Sequence, residues 1–302
     1  MLKNIAKFDA AAMSQRFASF NQADLVHLRQ WLEKTPHLPQ LEDHEIFLFL
    51  HASNFSVEAC KTRLDKFYTI RTRVKAMFEE RDVNSDEFRF AHENYACWIM
   101  PKPLPDNRKI IISKILNPDR FNFKMILKLM TFVGEYELWT NPSELCDGYI
   151  FLVDLKNSRL SHLTQIDFML NKQMCTYTVD AFPVRISAIH FINAPSHMER
   201  IMSIVKTCVS KDITDKFFVH SKPGEIPSCI PREILPRDYE GGQLKSIEEL
   251  NDDHYNFLYQ NREFFIEETK CRRVNERLRS TKNPYDDALF GMQGNFKKLD
   301  ID

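Results

Sequence analysis

Acid–base, nucleophilic and metal chemistry each need certain side chains at certain spacings, and this chain holds fragments of all three. Glu135 and Glu137 could be functional carboxylates, but nothing near them supplies a nucleophile or metal partner, so they read as surface residues. His190 and His197 are seven apart on different elements, and there is no H-E-x-x-H or C-x-x-C, so zinc has little support and no metal is expected. His190 sits mid-strand in AIHFIN and reads as a satisfied core histidine. Cys175 and Cys208 lack an activating motif. Asp154 ends a strand, where open α/β sheets bind ligands, though a structural hydrogen-bonding role is the preferred reading. G-x-G-x-x-G, P-loop and G-x-S-x-G motifs are all missing. The expectation is therefore no enzyme and no cofactor: a protein that binds and carries.

The elements that would position a cargo centre on residues 182–220. Arg185 to Ile192 is rich in β-branched and aromatic residues, as a buried strand requires. Asn193-Ala194-Pro195 breaks it, and Ser196 with Glu199 spells a capping box. A helix follows with Met198, Ile201, Met202, Val205, Cys208 and Val209 on one face, and Glu199, Arg200, Ser203, Lys206 and Thr207 on the other. Lys216 to Val219 is then a further short strand. The plain reading of the helix is a core helix on a sheet; the sharper one is a lid over an apolar cavity. Two methionines and a cysteine make its apolar surface soft and adaptable.

Composition narrows the class. The 302 residues carry 41 Lys+Arg against 42 Asp+Glu, which does not indicate a generally basic nucleic-acid binder. Twenty-four Phe and seven Gly imply a bulky apolar interior with few backbone-tuned loops. Seven scattered Cys read as reduced and intracellular. The start lacks the apolar core of a secretory signal, and no apolar run approaches the roughly 20 residues of a membrane span. The expectation is a soluble cytoplasmic protein that meets membranes only at their surface.

In chain order, residues 1–80 read as helices: Ala23 to Glu33, Asp43 to Leu50, and one opened by Ser56 as N-cap whose buried face is Cys60, Leu64, Phe67, Ile70, Val74 and Phe78. Lys61, Arg63, Lys66, Arg71, Arg73 and Lys75 read as its solvated side. Residues 80–108, with Pro101, Pro103 and Pro105, read as a junction. Lys109 to Lys114 is a strand, Asn122 to Leu138 a helix and Tyr149 to Asp154 a second strand, with Tyr149, Phe151 and Val153 on one face. Gln165 to Val179 reads as a crossover helix. Alternating strands and helices predict a mostly parallel sheet. Gly241-Gly242 signals a turn, Ser246 with Glu249 a second capping box, and a long helix to about Leu278 follows. Leu289, Phe290, Met292, Phe296 and Leu299 would dock the tail on the body.

FPVRISAIHFIN with the helix and KFFVH after it, and ILPRDYEGGQLKSIEEL beyond, resemble the CRAL-TRIO lipid-binding family. The upstream LEDHEIFLFLHASNFSVEACKTRLDKFYTIR resembles that family's N-terminal helical domain, and ALFGMQGNFKKLDID the endings of its insect-type α-tocopherol-transfer-like branch. The resemblance spans nearly the whole chain. It implies an N-terminal helical bundle (residues 1–84) and an α/β domain (85–302) whose sheet floors an apolar cavity gated by a lid helix. Members carry tocopherol, retinaldehyde or phospholipid, and the ligand expected here is one small tocopherol-, retinoid- or isoprenoid-like molecule moved between membranes by a monomer.

By the same resemblance, Tyr149, Phe151 and Val153 fall on the pocket floor and Phe182, Val184, Ile186 and Ile189 on the next wall. Met198, Ile201, Met202, Val205 and Cys208 fall on the lid, and Leu127, Met130 and Gly134 on a wall helix. Arg185 and Lys216 match two positions of a phosphoinositide-binding cluster. Ser187 and Asp212 stand where that cluster has basic residues, and Lys206 and Lys211 are the compensating candidates. The rival readings are a phospholipid or phosphoinositide exchanger of the same fold, and an adaptor with a vestigial pocket. The first would need polar groups inside the cavity, where the matched positions are mostly apolar.

Overall fold

Apolar residues recurring every three or four positions build the N-terminal helices. In the computed structural model, which describes residues 8–140 and 145–291, these are α1 (Ala10–Arg16), α2 (Gln22–Glu33), α3 (Asp43–Ala52), α4 (Val57–Arg73) and α5 (Lys75–Phe78). Side chains of Asp9, Asn21 and Ser56 cap α1, α2 and α4 through backbone N–H groups otherwise left without partners. Cys60, Leu64, Phe67 and Ile70 of α4 are fully buried, as the spacing predicts.

The basic face of α4 needs correction. Arg71 follows Phe67 by four residues and so lies in the apolar stripe, not opposite it, and is 0% exposed. It forms ion pairs with Glu135 and Glu268, and Arg81 pairs with Glu135 at 3.0 Å. Tyr177 joins them, accepting from Arg71 at 3.0 Å and donating to Glu135. Glu135 is therefore a fully buried junction residue and not a surface one. Desolvation pushes the Glu268 carboxyl up, but Arg71, Arg81, Arg272 and Arg273 outweigh it and hold the group below its ordinary value.

The expected junction of residues 80–108 instead holds α6 (Asp86–Asn94), capped by Ser85, and strand β1 (Tyr95–Ile99). Its prolines occupy only the turn to β2 (Arg108–Ile115). β1 shows no apolar–polar alternation because both of its faces are covered: Tyr95 and Cys97 enter one core, Ala96 and Trp98 the other. Then come α7 (Phe123–Thr140), β3 (Gly148–Asp154), α8 (Phe168–Thr176), β4 (Ile186–Ile192), α9 (Met198–Lys206), α10 (Lys211–Thr214), β5 (Phe217–Val219), α11 (Ile247–Gln260) and α12 (Arg262–Cys271). The crossover helix is shorter than expected and passes into a π turn over Tyr177–Ala181. The last long helix is two, parted at Asn261.

The sheet runs β1-β2-β3-β4-β5, parallel except for β1. Its parallel strands march in one direction, so right-handed crossovers put α7, α8 and α9 on the same face. That face and the N-terminal helices share one continuous core, which includes Phe47, Phe67, Phe132, Tyr149 and Phe151. The other face, with Ile110, Ile150 and Leu152, is covered by Ile230, Leu235, Tyr239 and Leu250. Packing therefore runs unbroken across the expected boundary at residue 84. Of the tail residues, Leu289 is buried and Phe290 packs on the first core, while Met292, Phe296 and Leu299 lie outside the described residues.

Candidate functional site

Three chain segments converge on the helical face of the sheet. From β3, the alternation of side chains sends Tyr149, Phe151 and Val153 to that face. From β4, Ile186 and Ile189 both point there although they are three apart. A register shift between Tyr149 and Ile150 against Ile186 and Ala188 inserts one residue and resets the alternation. Gly148 makes the shift possible: a Cβ on it would stand 2.3 Å from the Ser187 hydroxyl. Phe182 and Val184 reach the same core from the segment before β4. From α7, Leu127 and Met130 are half-buried against it, and the bare Gly134 lies under the Phe182 ring, 3.1 Å from where a Cβ would be. The expected floor and wall residues are thus brought together.

α9 stands apart from them. Its start is set by a turn in which Met198 N–H donates to the Pro195 carbonyl, making His197 the N-cap. Glu199 is then the second helical residue and not the third, so the expected Ser196–Glu199 box does not form. Its counterpart, Ser246 with Glu249, does form at the start of α11. Of the apolar face of α9, only Met198 is buried; Ile201, Met202, Ile204 and Val205 are half-buried, as is Cys208 just beyond. None of these side chains belongs to either hydrophobic core. A cleft of about 630 Å³ runs along the helix, bounded by Ser196, Met202, Lys206 and Val219. Of the expected pocket residues, only Met198 and Met202 line this cleft.

The cationic candidates are scattered in their engagements. Arg185 donates to the His51 carbonyl at 2.8 Å and lies over the Phe55 ring; Lys216 donates to the Ile186 carbonyl at 2.7 Å. Lys211 pairs with Asp215 at 2.7 Å. Lys206 is exposed on the rim of the cleft.

The candidates for chemistry have structural partners. Asp154 accepts from Lys114 at 2.8 Å, Asn193 at 2.8 Å and the Tyr239 hydroxyl at 3.0 Å. Desolvation pushes its carboxyl up, but Lys114 and Asn193 bring it below its ordinary value. His190 meets His220 at 3.0 Å, and burial with the His220 and Arg108 charges lowers it to about 4. Among the described residues no three His, Cys, Asp or Glu are grouped to hold a metal, and no helix is long and apolar enough to cross a membrane.

Tyr239 and the glycines after it form one device. Tyr239 buttresses Asp154 at the carboxyl end of β3, and Gly242 packs so tightly that a Cβ would stand 2.0 Å from the Pro236 carbonyl oxygen. This explains the LP…Y-GG spacing in physical terms.

Residues 93–241 match the CRAL/TRIO domain profile. The chain carries a CRAL-TRIO domain. Residues 18–88 of this CRAL-TRIO protein also match the Pinta-like UBA domain profile. Its relatives include the alpha-tocopherol transfer protein-like proteins of Homo sapiens (25% identical over 231 residues) and Mus musculus (24% over 225); each match covers 72% of this chain and 64% of the relative. The chain thus spans somewhat under two thirds of those relatives' length. Clavesin-2 of Rattus norvegicus is 22% identical over 139 residues, 45% of this chain and 42% of its own. The crystal structure of Sfh5 aligns over 72% of this chain and 82% of its own, at 14% identity and a TM-score of 0.44.

The residues that sequence reasoning missed are Arg71, Arg81, Tyr177 and Glu268 of the buried junction. One signal was available: Cys60, Leu64, Phe67, Arg71, Val74 and Phe78 recur at alternating intervals of four and three, which places an arginine inside an apolar stripe.

Proposed function

We propose that this CRAL-TRIO protein binds one small hydrophobic molecule of tocopherol-, retinoid- or isoprenoid-like character and transfers it between membranes. In this reading α9 is the lid. The ligand lies between α9 and the surface made by Tyr149, Phe151, Val153, Ile186, Ile189, Leu127 and Met130, with Phe182 and Val184 at its end. One observation carries it: α9 has a strongly amphipathic sequence, yet its apolar side chains join neither core. Full burial of a large apolar side chain is worth roughly 1.5–3 kcal/mol. Ile201, Met202, Ile204 and Val205 together therefore leave several kcal/mol available to a hydrophobic guest or to lipid. Opening at a membrane surface follows, because acyl chains replace the guest as the apolar surround. Lys206, exposed on the rim, is the cation best placed to meet an anionic lipid surface; Arg185, Lys211 and Lys216 already have protein partners. The names of the α-tocopherol transfer-like relatives support the ligand class.

Met202→Asp tests the reading. Protein purified from lipid-containing cells is extracted and its ligand identified by mass spectrometry. A terpenoid in the wild type, lost in Met202→Asp at unchanged far-ultraviolet circular dichroism, is the expected outcome. Equal retention in both proteins would remove α9 from the site, and a phospholipid in place of a terpenoid would favour the exchanger.

A further inference from the structure

Two of the seven cysteines meet where α8 faces α9. Cys175 lies on α8, and Cys208 lies two residues beyond the end of α9. One side chain touches both sulfurs. Asn171, one turn before Cys175 and itself buried, reaches both sulfurs: its Nδ2 donates to Cys208 Sγ at 3.2 Å, and its Oδ1 accepts from Cys175 Sγ at 3.8 Å. Thr207 Oγ1 lies 3.6 Å from Cys208 Sγ. Both cysteines are half-buried, not sealed in either core.

The electrostatics differ between the two sulfurs. Cys208 is lowered to about 6, first by the neighbouring Cys175 thiol and then, against desolvation, by Thr207, Asn171 and Lys172. Cys175 is raised by the neighbouring Cys208 sulfur and by burial. Elsewhere burial pushes the thiols of Cys60 and Cys97 up to about 12. Peroxides react with the thiolate, so Cys208 is the attacking sulfur and Cys175 the resolving one.

We propose that Cys175 and Cys208 form a peroxide-sensitive dithiol site whose oxidation closes a disulfide between α8 and the C-terminal end of α9. In the first step the Cys208 thiolate attacks one oxygen of hydrogen peroxide. The O–O bond breaks, Cys208 becomes a sulfenic acid, and hydroxide leaves and takes up a proton to give water. In the second step the Cys175 sulfur attacks the sulfenic sulfur, the S–O bond breaks, and the Cys175 proton leaves with the hydroxyl as a second water. Peroxide is reduced and two thiols are oxidised to one disulfide. The bond ties down the helix whose apolar face is otherwise uncommitted; its effect on transfer rests on the carrier reading above.

The test treats the full-length protein with hydrogen peroxide, blocks remaining thiols, and maps peptides under non-reducing conditions. The expected result is a Cys175–Cys208 cross-link reversed by dithiothreitol and missing in Cys208→Ser. Both cysteines recovered as blocked thiols, or cross-linked elsewhere, would overturn the inference while leaving the carrier reading intact. In parallel, protein loaded with a fluorescent tocopherol analogue is mixed with phosphatidylcholine vesicles. Oxidation should slow transfer roughly tenfold or more in the wild type and leave Cys208→Ser unchanged. A cross-link with undiminished transfer supports the dithiol site and overturns the movement assigned to α9.

Discussion

Helices α4 and α9 carry the same kind of amphipathic stripe and put it to opposite use. In α4 Cys60, Leu64, Phe67 and Ile70 are fully buried, and the one cation in their stripe, Arg71, is locked between Glu135 and Glu268. In α9 only Met198 is buried, and its apolar side chains belong to neither core. Amphipathic periodicity alone is therefore not a measure of a helix's commitment to the fold. What separates the two is what lies opposite. α4 faces α3 and the π turn after α8, which fill its grooves, whereas Ile201, Ile204 and Val205 of α9 join neither core and the cleft along that helix is lined by Glu199, Ser203 and Lys206 as well as Met198 and Met202.

The largest effect is expected at the junction: Arg71→Met leaves Glu135 and Glu268 buried with one cation fewer and should cost about 3–5 kcal/mol in urea-induced unfolding. A loss below about 1 kcal/mol would show that the junction does not hold the N-terminal helices to the sheet. Leu64→Ala, at a fully buried position of α4, should cost about 2–5 kcal/mol by the same assay.

Acid comes next. Burial with the charges of Arg185 and Arg16 lowers His51 to about 3, and His190 is lowered to about 4. The unfolded imidazoles take up protons near their ordinary value of about 6.5, while the folded ones stay neutral. Unfolding thus gains protons, so the full stability present above about pH 6.5 falls as the pH drops toward 4. From about pH 6.5 to 5.5 the two histidines should cost about 2 kcal/mol in total. A flat profile over that interval would mean that these rings charge freely in the folded protein. The smallest effect belongs to α9: Val205→Ala, at a half-buried position, should change stability by less than about 1 kcal/mol while speeding ligand loss. A cost like that of Leu64→Ala would make α9 an ordinary core helix.

Much of the fold was legible because its signals are local. The Ser56 cap, the Ser246–Glu249 box, the strands at Ile186–Ile192 and Gly148–Asp154 and the turn at Gly241 each follow from a few neighbouring residues. β1 was not legible, since a strand covered on both sides has no alternation to read. Nor was the Ser196–Glu199 box safe to infer: Pro195 begins a turn that moves the helix start by one residue.

Periodicity and capping act within a few residues of chain, so the four parallel strands in order, most of the helices and the shared face of Tyr149, Phe151 and Val153 could be read from the sequence. It took the folded chain to show that Arg71, Glu135 and Glu268 are interior, that a slip beside Gly148 turns Ile186 and Ile189 to one face, and that Cys175 and Cys208 both lie against Asn171. Those relations join residues from 33 to nearly 200 positions apart, and whether a charge is paired or a thiol has a neighbour depends on distance through space, which no local pattern encodes.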